Sequence, residues 1–117
     1  MITSYKGLVV WQKSFELVKL IYKLSDQFPK AEQYGLCSQI RRCSVSIPSN
    51  IAEGQQRNSL KEYRQFIGIA EGSATELETQ MLLARDIYAL DTSQALFLLY
   101  EVQKMLKVLN QKLEPRT

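Results

Sequence analysis

The sequence predicts an all-α protein, an antiparallel up-down-up-down four-helix bundle forming a single domain over residues 1–117. Three observations carry that prediction. Apolar residues recur at steps of three and four in four stretches of the chain, the period of amphipathic helices. Five glycines and three prolines are too few for a many-turned β fold. The links between the stretches are short, so successive helices must fold back on one another.

Helix one is expected from Leu8 to Phe28. Trp11, Phe15, Val18 and Tyr22 recur at steps of four, three and four, flanked by Leu17, Ile21, Leu24 and Phe28. Gln12, Glu16, Lys19, Lys23 and Asp26 take the opposite face, so the aromatic row reads as core. Pro29 disfavours helical geometry at Phe28 and stops the helix.

Helix two is expected from Glu32 to Gly54, a residue suited to a C-cap. Leu36, Ile40, Cys43, Ile47 and Ile51 share one arc. Gln39, Arg42, Ser46, Asn50, Glu53 and Arg57 lie directly beside it. A third arc holds Cys37, Ser44, Val45, Pro48 and Ala52, with Arg41 the exception. Little circumference remains for water, so neighbours should surround this helix. Pro48 removes a hydrogen bond to Ser44 and costs roughly 3 kcal/mol in an isolated helix. Nearby serines and packing are expected to offset that cost.

Helix three opens on Ser59-Leu60-Lys61-Glu62, a capping box. Tyr63, Ile67, Ala70, Ala74, Leu77, Met81, Ala84 and Tyr88 then alternate steps of four and three without a break. Arg64, Glu71, Glu78 and Arg85 run beside that seam. Gly68 and Gly72 lie on the far side with Thr75 and Thr79. Each glycine costs about 1 kcal/mol in a helix interior, and close helix packing there is the expected compensation. Helix four follows the N-terminal signal Asp91-Thr92-Ser93-Gln94. Its seam is Leu99, Val102, Leu106, Leu109 and Leu113, supported by Ala95, Leu98 and Met105, with Lys104, Lys107 and Lys112 toward the end where positive charge suits the helix dipole.

The chemistry available is narrow. The chain has no histidine, which removes His-based acid–base catalysis, Ser-His triads and most transition-metal sites. No phosphate-cradling G-x-x-x-x-G-K-[ST] or G-x-G-x-x-G string occurs. Glu76 and Glu78 are two apart on a helix and face different ways, so they form no carboxylate pair. No catalytic residue, metal or cofactor is therefore expected. Cys37 and Cys43 read as small buried thiols of a reducing compartment. MITSYKGLVVWQK lacks the pattern of a secretion signal, and no apolar run approaches the ~20 residues of a membrane span. The expectation is a cytoplasmic protein with no membrane partner. The formal charge is +3, with +4 on residues 1–58 and −1 on residues 59–117, a mild basic bias.

Tyr34-Gly35-Leu36, QIRRCSVSIPSNIAEG and RNSLKEYRQFIGIAEGSATELETQ resemble the four-helix-bundle proteins encoded in intervening sequences of bacterial 23S rRNA genes. Trp11 and Phe28-Pro29 extend the likeness nearly end to end, and Cys43 sits where that family often has alanine. The resemblance implies a protomer of a ring-like homopentamer, and the family's genomic setting and ribosomal-protein label imply RNA binding. The bundle is also similar to the accessory protein of diversity-generating retroelements, a basic pentamer that binds nucleic acid and its reverse transcriptase. The present chain is less basic.

Two sets of side chains follow from this reading. Arg41, Lys13, Lys19, Lys23, Lys30 and Arg57 are the candidates for nucleic-acid contact. Singly they are a solvated face, but five copies of a +3 chain carry +15, enough to gather a polyanion through counterion release. Arg42, Ser46, Pro48, Asn50, Glu53, Gly68, Glu71, Gly72 and Glu78 are the candidates for subunit contacts. Arg42 either contacts phosphate or pairs with Glu71 or Glu78, in the same chain or the next. Buried polar groups such as Gln39, Ser46, Asn50 and Glu53 must pair, and that pairing can fix register between subunits. The tyrosines and Trp11 read as core and not as base-stacking platforms. The expected function is non-catalytic, non-sequence-specific RNA or DNA binding by a homo-oligomer. The alternative is a scaffold for a partner protein with no nucleic-acid role.

Overall fold

The computed structural model describes residues 4–115. Met1, Ile2 and Thr3 of the stretch read for a leader, and Arg116 and Thr117, lie outside that range. Four helices make up the fold: α1 Val9–Ser25, α2 Leu36–Gln55, α3 Leu60–Tyr88 and α4 Ser93–Lys112. Short 3-10 turns occupy Tyr5–Gly7 and Lys30–Glu32, and no strand occurs among the described residues. The molecule is a compact rod of 49 × 24 × 22 Å.

Each helix touches two others, α1 with α2 and α4, and α3 with α2 and α4, so the four close a cycle around one core. Leu17, Ile21, Ile40, Ile47, Ile51, Ile67, Leu77, Met81, Leu99 and Leu106 are fully buried there. Each such side chain contributes about 1.5–3 kcal/mol by leaving water. The α3 seam is the clearest case, since Ile67, Ala70, Ala74, Leu77, Met81 and Ala84 are all at 0% exposure. Ser59 caps α3 by accepting from the Glu62 N–H at 3.1 Å.

Several boundaries and faces differ from the sequence reading. α1 ends at Ser25, because Gln27 and Phe28 bond three residues back and tighten the last turn. α2 begins at Leu36 instead of Glu32. Glu32 instead stands outside it, where its carboxylate accepts from the Leu36 N–H at 3.3 Å and from the Tyr88 hydroxyl. The core face of α1 is Val10, Ser14, Leu17, Ile21, Leu24 and Ser25, about a quarter-turn from the aromatic row. Two serines can be buried there because each hydroxyl donates to a carbonyl three residues back, Ser14 to Trp11 and Ser25 to Tyr22, both at 2.8 Å.

Glycine roles differ too. No glycine among the described residues has positive φ, so Gly54 is not a left-handed cap. A Cβ on Gly54 would lie 2.8 Å from the Phe66 Cβ and 3.1 Å from the Tyr63 carbonyl, so its role is the close approach of α2 to α3. Gly68 and Gly72, expected to pack closely, are exposed, and a Cβ on either would meet nothing within 4 Å among the described residues. The left-handed cap falls on Ala89, φ 55°, which ends α3 by donating to the Arg85 carbonyl.

Candidate nucleic-acid interface

α2 organises the surface that the sequence points to. It runs unbroken through Pro48, which is buried beside α1. Its outward side stays wet: Gln39, Arg42, Val45, Ser49 and Glu53 are exposed, so the chain alone does not enclose this helix.

On the α3 side lies a groove of about 500 Å³ bordered by Gln39, Arg42, Ser46, Ser73, Glu76 and Tyr34. The Ser46 and Ser73 hydroxyls share a hydrogen bond of 2.8 Å, and Asn50 donates to the Ser46 carbonyl at 2.7 Å and hydroxyl at 3.0 Å. Part of the polar line is thus satisfied inside the chain. Glu53 pairs with Arg57 at 2.5 Å, one helical turn on. Cys43 donates to the Ser73 carbonyl at 3.1 Å, and burial, reinforced by Glu76, pushes its thiol up to about 12. That thiol is no nucleophile at neutral pH. Gln80 donates to Glu76 at 3.3 Å while its own carbonyl oxygen is buried without a partner.

The expected pairing of Arg42 with Glu71 or Glu78 does not occur within the chain. Both carboxylates turn to α4, Glu71 accepting from Asn110 at 2.5 Å and Glu78 from Gln103 at 3.0 Å. Amides on α4 at the right height compete successfully for them. Arg42 makes no ion pair or side-chain hydrogen bond with the described residues.

On the α1 side, two hollows of about 330 and 470 Å³ meet at Val45. Trp11, Phe15, Lys19 and Pro48 border the first, and Tyr22, Tyr34, Arg41 and Arg42 the second. The Arg41 guanidinium lies 4.9 Å over the Tyr22 ring and is fixed by Ser25 Oγ at 2.6 Å and Asp26 at 3.0 Å. Phe15 and Tyr22 are 46% and 43% exposed, so two members of the aromatic row expected in the core lie at the surface while Trp11 packs against the core; Tyr34 is 91% exposed.

The six candidate cations divide. Lys19 and Arg41 line this face, and exposed Lys23 stands one turn on from Lys19. Lys13 turns to α4 and pairs with Glu101 at 2.7 Å. Lys30 is exposed in the link before α2, and Arg57 at the far end of α2 stacks on Phe66 at 4.7 Å. Arg42, Tyr22 and Tyr34 join the face although they were not counted among its nucleic-acid contacts. The signal that marks them is modest: two arginines one step apart on α2, facing an α1 row that already carries Lys19 and Lys23.

Among the described residues no three His, Cys, Asp or Glu side chains gather to hold a metal ion, and no helix is long and apolar enough to cross a membrane. What the fold defines is a small four-helix protein whose notable surface is a row of cations, aromatic rings and small polar groups along α2. The chain belongs to the family described as 23S rRNA-intervening sequence protein, whose model matches residues 6–111. Comparison with curated proteins finds no match.

Proposed function

We propose that this chain is a non-catalytic protein that binds RNA or DNA without base specificity, acting in the cytoplasm as a ring-like homopentamer of antiparallel up-down-up-down bundles. Membership of the 23S rRNA-intervening sequence family supports a nucleic-acid setting. The bundle sense is supported by bonds that pair the end of α1 with the start of α2 (Ser25 and Arg41), and the start of α3 with the end of α4 (Arg64 and Asn110).

The observation that carries the binding reading is the α1–α2 face. Lys19, Lys23, Arg41 and Arg42 gather there, against the acids Glu16 and Asp26 on α1 and its end, while Glu53 on the same side of α2 is paired with Arg57. Those acids form exposed pairs worth at most about 1 kcal/mol, which a phosphate can displace. One such face binds a polyanion weakly, and a ring of them binds by summed contacts. Assembly is supported by the exposed glycine side of α3 and by Gln39 and the Gln80 carbonyl, whose side-chain hydrogen-bonding capacity is unused among the described residues. A gel shift of a labelled 23S rRNA fragment by micromolar protein at ~50 mM salt tests the reading, and the absence of any shift defeats it.

A scaffold role is favoured by a separate observation, the exposure of Ile87 at 59% and Phe97 at 70%. Capture of one stoichiometric protein after nuclease treatment supports that alternative, whereas capture of nucleic acid alone opposes it.

A further inference from the structure

We infer that the α1–α2 face is a stacking groove for the unpaired bases of a single-stranded nucleic acid, an inference that rests on the nucleic-acid reading and specifies the form of the ligand. Charge alone gives no reason for aromatic rings to be wet. Phe15 and Tyr22 lie seven residues apart on one side of α1, about 10 Å along its axis, too far for adjacent bases and within reach of two bases with one nucleotide between them. Trp11 backs Phe15 with a centroid separation of 5.1 Å, so the exposed ring is held in place. Tyr34, nearly fully exposed, flanks the second hollow.

The cations are interleaved with the rings. Lys19 Nζ lies 6.0 Å from the Phe15 centroid, and Arg41 covers Tyr22 from a position fixed by two acceptors. Aromatic rings that take bases, beside cations that take the intervening phosphates, are the combination that holds single strands regardless of sequence. A duplex hides its base faces and gains nothing from these rings. A second copy presenting the same face is disfavoured, because Lys19, Lys23, Arg41 and Arg42 would meet their own counterparts.

Trp11 is the chain's one tryptophan, so its emission reports directly on this groove. Titration with oligouridylate or oligothymidylate of about 12 nucleotides, within the reach of single-strand sites, should quench it, and a duplex of equal length should not. Phe15→Leu and Tyr22→Leu, at half-exposed positions, should each weaken single-strand binding by about tenfold, and by clearly more than they weaken duplex binding. Helix content by circular dichroism checks that both variants fold, and the quenching of the unmodified protein stands independently of them. Binding of the rRNA fragment without quenching, and with unaltered affinity in both variants, overturns the stacking groove and leaves the electrostatic reading standing. Failure of every nucleic acid to bind overturns both. A Trp11 emission shift on concentrating the protein alone assigns the face to subunit contact and also overturns the groove.

Discussion

Replacing Gly68 and Gly72 with alanine separates the stability of the chain from its assembly. Both glycines lie inside the 29-residue α3, exposed, and an added methyl on either meets nothing within 4 Å. Alanine gains about 1 kcal/mol over glycine at such a position through backbone entropy. No neighbour subtracts from that gain, so the double variant should gain about 2 kcal/mol in the isolated chain. For a protein of this size that raises Tm by roughly 6–12 °C, measured at a dilution at which sedimentation finds the monomer. The same two methyls behave differently if another copy packs on this face. Overfilling a close contact costs about 1–3 kcal/mol per site, so the association constant should fall at least tenfold, read by sedimentation or native mass spectrometry. The signature is a more stable chain that assembles less well. A dilute chain that loses stability refutes the open glycine face, and unimpaired assembly refutes its placement at a subunit contact.

Three further outcomes follow from the same geometry. Gly54→Ala should destabilise the chain by about 1–2 kcal/mol in urea unfolding, because the new Cβ sits 2.8 Å from Phe66 and the helix-propensity gain near the end of α2 is small. Ala89→Gly should stabilise it by about 0.5–1 kcal/mol, since φ 55° strains any L side chain; a loss of stability there rejects that account of the α3 end. The Cys43 thiol, held protonated up to about 12 by burial and Glu76, should resist thiol reagents in the native protein at pH 8. Its folded value is raised above the ordinary 9.0, so its contribution to stability is full below pH 9 and is lost as pH climbs through 12. Cys43→Ala should flatten that alkaline decline, and an unchanged pH profile counts against burial as the cause.

The sequence made α3 and α4 legible because the apolar positions of their seams recur at unbroken steps of three and four, even though Ile69, Ile87 and Phe97 stand exposed outside those seams. Their seams are buried as read, from Ile67 to Ala84 and from Ala95 to Leu106. α1 was harder. Its apolar arc is wide enough to admit two core faces, and the one adopted includes Ser14 and Ser25. A hydroxyl that bonds back to its own helix costs little when buried, and composition does not reveal that. The aromatic row therefore read as core, whereas only Trp11 packs there and Phe15 and Tyr22 stand half-exposed. Gly54 read as a cap because glycine commonly ends helices, whereas the approach of Phe66 becomes evident only when α3 is in place. The choice of α4 amides over Arg42 by Glu71 and Glu78 is likewise a matter of height along neighbouring helices, which spacing within one helix does not contain.

The most direct measurement of the central claim is the affinity of the protein for a labelled 23S rRNA fragment as salt rises from ~50 to ~200 mM. The cations of the α1–α2 face, repeated around the proposed oligomer, predict micromolar or tighter binding at the low end, weakened at least tenfold at the high end. Binding that is absent at ~50 mM, or present but indifferent to salt, contradicts the account.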